Sequence, residues 1–287
     1  EITYGDWSSD VCSSDLSGYS QIRMTNSSIQ MFLNSPRLEM LTTFTPAIGD
    51  SFVIVDNQTL FGYSGPGFNG LPQGTIFANG GFFFQISYSG GSGNDVVLKH
   101  INTAPTVTAP ANQSTTEGAR TTLSLGSFAD VDTLDNPWSV NVNWGDSTNP
   151  TGFSVSSIGA LANQRHVFAD NGTYTVTVQV TDMNGGVGSA TFQVTVTNIG
   201  PLVTISGTPD SSPEGTPISL TPVVVDPSSA DNAEGFTYAW SVTKNGASFA
   251  SGTTSSISFK PDDNGTYVAT FSATDKDGAT GTTTASP

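Results

Sequence analysis

Apolar and polar residues alternate with a period of two along most of this chain, and the alternating runs are short. From 174 to 181, Tyr174, Val176, Val178 and Val180 fall on one side, while Thr175, Thr177, Gln179 and Thr181 fall on the other. That is the pattern of a strand with one face in a core and one in water. Trp138, Val140, Val142 and Trp144 share a face in the same way, and Phe52-Val53-Ile54-Val55 and Phe82-Phe83-Phe84-Gln85-Ile86 are further short runs. Between the runs stand Gly49-Asp50, Gly65-Pro66-Gly67, Asn79-Gly80-Gly81, Asn184-Gly185-Gly186, Asn245-Gly246 and Asp277-Gly278. These residues tolerate left-handed backbone and make tight hairpins. The chain is expected to be all-β.

One phrase occurs twice. DNGTYTVTVQVTD at 170–182 returns as DNGTYVATFSATD at 263–275, 93 positions later. A period of that size corresponds to one small domain per repeat and exceeds a solenoid turn. Asp-x-Gly-x-Tyr before an alternating strand is the form of a tyrosine corner. Gly172 and Gly265 would make the turn, and the hydroxyls of Tyr174 and Tyr267 would bond back to nearby backbone. Trp144 and Trp240 alternate in phase with core positions, so their rings are expected inside. The repeats therefore read as tandem immunoglobulin-like sandwiches.

Three blocks follow: 17–102, 103–199 and 200–287, the latter two opening at Ala104-Pro105 and Gly200-Pro201. Linkers this short limit the angle between domains without fastening them together. Shifting by the period sets Pro287 opposite Val194, so the final strand is expected to stop short of its counterpart. Residues 1–16 are a separate matter. DWSSDVCSSDL at 6–16 resembles a translated sequencing adapter, and the whole stretch is expected to lie outside the fold. It holds Cys12, the single cysteine of the chain, and four of the 24 acidic residues. The net charge of −16 becomes −12 without it, with 20 acidic against 8 basic residues.

That acidic balance argues against binding to phosphate backbones and to anionic membranes. No apolar run approaches membrane-spanning length. A cysteine-free, Thr-rich and Val-rich remainder fits strands and is compatible with secretion. An extracellular or cell-surface location is the expectation.

Two resemblances sharpen the picture. FTPAIGDSFVIVD (44–56), GFNGLPQG (67–74) and ISYSGGSGNDVVL (86–98) resemble the module that closes the β-helix of large autotransporter-like and secreted bacterial proteins. The resemblance implies that 17–102 are the last turns and cap of a β-solenoid. Trp144-Gly145-Asp146, Asp170-Asn171-Gly172-Thr173-Tyr174 and Thr181-Asp182 resemble the polycystic-kidney-disease (PKD) type of immunoglobulin-like repeat. The third block departs from that family at Trp240-Ser241-Val242, and its membership rests on the tyrosine corner and the hairpin. The expected fold is the end of a β-solenoid plus two tandem sandwiches. The family implies a non-catalytic spacer, adhesion or carbohydrate-interaction module.

Chemistry is sparse. His100 and His166 have no nucleophile or metal-pair context, and neither Gly-x-Ser-x-Gly nor His-Glu-x-x-His occurs. No enzymatic activity is expected. Calcium is the candidate ligand, because Asp130, Asp132 and Asp135 place three carboxylates within six residues, and like charges so close repel unless neutralised. Asp226, Asp262-Asp263-Asn264 and Asp275-Lys276-Asp277 are further oxygen-rich loops, the last weakened by its lysine. Against calcium stands the ordinary preference of Asp and Asn for turns. No other cofactor is expected. The leading reading is a monomeric structural or adhesion segment of a large bacterial surface or secreted protein, with a protein or polysaccharide surface ligand. The other is a set of carbohydrate- or substrate-binding accessory modules of a secreted hydrolase.

Overall fold

The computed structural model describes residues 22–24, 32–34, 37–40, 45–58 and 62–287, so residues 1–16 lie outside the described part. Strands dominate it. The one described helix is the short Ser229–Glu234, whose first turn is capped by the Ser228 side chain accepting from Asp231 N. Apolar side chains collect in three separate clusters, one per block.

The second block is a two-layer sandwich. Its larger sheet sets Thr151–Val155, Trp138–Asn143, Gly172–Thr181, Val187–Thr197 and Gln113–Thr116 side by side. Antiparallel pairing puts Val140 opposite Val180, Val142 opposite Val178 and Val176 opposite Phe192. Every inward position of the strand from 138 to 143 is buried and every outward one exposed, as the two-residue period requires. The smaller layer comprises Thr106–Thr108, Ser127–Ala129 and Gly159–Ala160, with Thr121–Leu123 paired to Gln164–His166. Leu123, Leu125, Phe128, Leu161 and Phe168 come from this side and close on the valines of the other.

In the third block Ala247–Gly252, Thr237–Lys244, Tyr267–Thr274 and Thr280–Ala285 form the larger sheet. Leu202–Ile205 pairs with Pro222–Val225, and Ile218–Leu220 with Ile257–Phe259, across the core. Trp240, Val242, Phe259, Ala269 and Phe271 fill it.

Each repeated phrase is a hydrogen-bonded corner. Tyr174 Oη donates to Asp170 O at 2.9 Å, and Tyr267 Oη donates to Asp263 O at 3.1 Å and to Asp262 Oδ1 at 2.8 Å. The copies differ in detail. Tyr267 is buried whereas Tyr174 is half-buried, and Gly172 has a φ of 136° whereas Gly265 stays out of the left-handed region. Only the first corner therefore uses glycine's backbone freedom. Tyr174→Phe and Tyr267→Phe keep the ring and remove the bond, so each should cost about 1 kcal/mol in a urea melt. A variant with wild-type stability would show its hydroxyl to be dispensable.

The first block is a mixed sheet in the order Ile22–Met24, Ser51–Asn57, Asp95–Ile101, Phe82–Gly90, Ile76–Asn79. The four later strands pair antiparallel, the last three as consecutive hairpins, whereas Ile22–Met24 on Ser51–Asn57 and Phe32–Asn34 on Ser64–Gly67 are parallel. Tyr88 anchors a loop to this sheet by donating to Leu71 O and accepting from Phe68 N, both at 2.7 Å. A Cβ on Gly67 would lie 2.6 Å from that hydroxyl, so the position admits only glycine.

The joints are built alike, with the chain crossing close over the last hairpin. A Cβ on Gly188 would lie 1.9 Å from Pro105 O, and one on Gly281 1.8 Å from Pro201 O. The second joint holds more than a linker does, which corrects the expectation that the domains are merely tethered. Ser228 Oγ donates to Ala169 O at 2.7 Å, and Lys276 Nζ lies 2.6 Å from Asp170 Oδ1.

Candidate metal centre

Three chain segments meet at the end of the second sandwich that adjoins the first block. They are the joint at Asn102 and Thr103, the loop 130–135 leaving the strand Ser127–Ala129, and the turn at 182–186 that links the two longest strands. Asp130 and Asp182 are held by their own loops, and Asp135 by the neighbouring turn. Asp130 Oδ1 accepts from Asp132 N at 3.0 Å, and its Oδ2 accepts from Trp138 Nε1 at 2.8 Å. Asp182 Oδ1 accepts from Asn184 N at 2.9 Å and Gly186 N at 2.8 Å. Asn102 Nδ2 donates to both Asp182 oxygens, at 3.1 and 3.0 Å. Asp135 Oδ1 accepts from Asn184 Nδ2 at 2.5 Å. Gly186 must be glycine here, because a Cβ would lie 2.3 Å from Asp182 Oδ2.

One oxygen from each of Asp130, Asp135 and Asp182 lies within 4.8 Å of the others, and all three residues are buried. The set differs from the one read in the sequence. Asp132, although buried, is outside this group, and Asp182 takes its place. The 182–186 turn brings in a carboxylate from 47 positions beyond Asp135, a long-range contact that local spacing does not show. Asp132 Oδ1, Asp135 Oδ2, Asn102 Oδ1 and Thr103 Oγ1 are buried and meet no protein hydrogen-bond partner.

Electrostatics follow from this crowding. Burial, then the charges of Asp132, Asp182 and Asp130, push the Asp135 carboxyl up to about 6, against the bond from Asn184. Burial and the charges of Asp130 and Asp182 also raise Asp132, opposed by the Leu134 amide and His100. Buried carboxylates held near one another disfavour ionisation unless a cation joins them. The donors are all oxygen, which suits a hard cation such as calcium.

The lysine-bearing acidic loop and the aromatic features have internal partners. Asp170, Asp231 and Asp277 also bring three carboxylate oxygens together, but Lys276 bonds to Asp170 and Asp277 and lies 3.0 Å from Asp231 Oδ1. Burial opposes charge on Lys276, and those three carboxylates outweigh it and raise its pKa. The lysine thus offsets part of the charge of this group, mostly that of Asp170 and Asp277. Asp146, of the Trp144-Gly145-Asp146 motif, accepts from Thr148 Oγ1 at 2.7 Å and lies 2.6 Å from His166 Nε2. Burial would raise its pKa, but these bonds prevail and lower it. The His166 ring stacks on Trp144 at 4.4 Å and meets Phe168 edge-on at 4.7 Å. Aromatic rings on two sides and a bonded Nε2 make this histidine a packing element. His100 is buried against Phe82 and Phe84 in the first block.

The three tryptophan rings among the described residues point inward. Trp138, Trp144 and Trp240 are buried, and Trp144 Nε1 donates to Thr151 Oγ1 and Trp240 Nε1 to Thr254 O. None forms an exposed platform.

Residues 102–196 match the family described as PKD domain. No curated protein matches the chain. Among solved structures, fibronectin(III)-like modules of Clostridium thermocellum CbhA are 17% identical, covering 63% of this chain and 90% of theirs at a TM-score of 0.24. The amphioxus IgVJ-C2 molecule is 13% identical, covering 60% and 98% at a TM-score of 0.34. The BSP domain of a biofilm associated protein is 18% identical, covering 64% and 29% at a TM-score of 0.24. Among the described residues no helix is long and apolar enough to cross a membrane.

Proposed function

We propose that this chain is a non-catalytic extracellular segment of a larger surface or secreted bacterial protein, in which tandem sandwiches space and present other parts. The modules are 17–102, 103–199 and 200–287. Three separate apolar clusters support that division. The two parallel pairings at the start of the first block support its reading as the end of a β-solenoid closed by hairpins. The PKD match over residues 102–196 favours a structural or interaction role for the second module. Calcium held by Asp130, Asp135 and Asp182, with Asp132 beside them, would tie the joint at Asn102 to the second sandwich.

The observation that carries the spacer reading is the burial of the tryptophans. Flat sugar rings are held by exposed aromatic faces, and here Trp138, Trp144 and Trp240 are spent on cores. The test incubates the full chain with insoluble cellulose, chitin and starch and measures the protein left in solution. A spacer should remain entirely unbound. Saturable retention on any of the three would replace this reading with that of a carbohydrate-binding accessory module of a secreted hydrolase.

A further inference from the structure

The second joint repeats the cradle of the first with one addition. Asp226 Oδ1 accepts from Ser228 N at 2.8 Å, as Asp130 does from Asp132 N. Asp275 Oδ1 accepts from Asp277 N and Ala279 N, both at 2.9 Å, as Asp182 does from Asn184 and Gly186. Asn198 Nδ2 donates to Asp275 Oδ1 at 3.3 Å, as Asn102 does to Asp182. The addition is Glu117, which belongs to the preceding sandwich. It follows the strand Gln113–Thr116, is fully buried, and one of its oxygens lies within 4.8 Å of one from Asp226 and one from Asp231.

A buried glutamate in such company needs a reason. Glu117 Oε1 accepts from Ile199 N at 2.8 Å, but Oε2 meets no protein partner. Asp226 Oδ2, Asp231 Oδ2, Asp275 Oδ2 and Asn198 Oδ1 are likewise buried and unpartnered. Lys276 lies 3.0 Å from Asp231 Oδ1 and is already shared with Asp170 and Asp277. Leaving several buried carboxylate oxygens without donors is costly, and a bound cation removes that cost. The next residue, Gly118, packs so tightly on the third block that a Cβ would lie 2.1 Å from Pro227 O. The Glu117 loop is thereby fixed against the neighbouring domain.

We propose that Glu117, Asp226 and Asp231, with Asp275 and Asn198 completing the set, form a second calcium site that bridges the two sandwiches. The donor set is again all oxygen, and it draws on both domains. Burial raises Glu117 and Asp226, and the charge of Asp231 adds to both. A divalent ion at this point ties the loop of one domain to two loops of the next. Bound calcium then fixes the angle at this joint, which a Pro-containing linker alone leaves loose.

The two joints share no ligand residue, so calcium at one can be removed without the other. Calcium binding to the full chain is followed by calorimetry for the wild type, Asp135→Asn, Glu117→Gln and Asp226→Asn. Glutamine keeps the Oε1 acceptor for Ile199 N, and asparagine at 226 keeps Oδ1 for Ser228 N, so both variants should fold; circular dichroism in chelator checks this. Two calcium ions are expected in the wild type, with one site weakened about tenfold or more by Glu117→Gln and by Asp226→Asn. Spin labels on cysteines introduced at Ser154 and Ser248, with Cys12→Ser, report the distance between the sandwiches. Calcium should narrow that distribution in the wild type and in Asp135→Asn, and leave Glu117→Gln unchanged. A single site lost in Asp135→Asn and untouched by Glu117→Gln overturns this inference and spares the first joint. A single site lost only in Glu117→Gln does the reverse. Calcium that binds without narrowing the distribution in the wild type also overturns the bridging claim.

Discussion

Replacing Trp144 by alanine is expected to remove about 3–5 kcal/mol from the stability of the second sandwich, the scale for truncating a large buried aromatic. Trp144 is fully buried and stacks on His166. Its indole N–H satisfies Thr151, so truncation opens a cavity and strands a hydroxyl at once. The neighbouring Gly145 turns the chain onto Thr175, with room for no Cβ, which leaves the backbone little freedom to collapse into the space. The third block has its own core, so its unfolding should be unaffected. Guanidinium unfolding of the full chain, followed by far-ultraviolet circular dichroism, should show one transition moved and another in place. A loss below about 1 kcal/mol would show that the ring is not part of a tightly packed core.

The second large effect is a dependence on pH that runs opposite to ordinary acid denaturation. Asp135 is held at about 6, above the value near 4 expected in an unfolded chain. Between those two values the folded form binds a proton that the unfolded form does not. Linkage then makes stability fall as pH rises through that window, and increase as pH drops from 7 towards 5. Asp132, Glu117 and Asp226 are raised as well and push in the same direction. In chelator the gain from Asp135 alone, between pH 7 and pH 5, should be on the order of 1 kcal/mol. In saturating calcium the carboxylates are neutralised by the ion, protons compete with it, and the slope should flatten or reverse. Urea midpoints at pH 5, 6 and 7, with chelator and with calcium, measure this directly. A metal-free chain least stable at pH 5 would contradict the crowded-carboxylate account.

The sheet layers were legible wherever one face is buried. Alternation from 138 to 144 and from 174 to 180 placed every core residue on its correct side, because a strand has only two faces. The two tyrosine corners were legible from their local spacing, although the difference between Gly172 and Gly265 was not. What lay beyond the sequence was set by long-range register. Asp182 reaches the first joint only because the hairpin between Gly172–Thr181 and Val187–Thr197 ends there. Its position in the repeated Thr-Asp pair, shared with Asp275, was the available signal. Glu117 gave no local sign at all, since its acidic neighbours Asp226 and Asp231 lie more than a hundred residues away in the next domain. The mixed sheet of the first block was equally hidden, because alternation does not distinguish parallel from antiparallel neighbours.

Calcium is proposed to bind the acidic joints in the native state alone. The most direct measurement is a thermal melt of the full chain in 10 mM calcium, in 10 mM magnesium and in chelator, at pH 7. Extracellular modules bind calcium at about 10⁻⁴–10⁻³ M, so each occupied site should add about 1.4–2.7 kcal/mol under these conditions. The midpoint should be clearly higher in calcium than in magnesium or chelator, with part of the gain lost in Asp135→Asn. Identical midpoints in all three solutions would contradict calcium binding and leave these aspartates as ordinary turn residues.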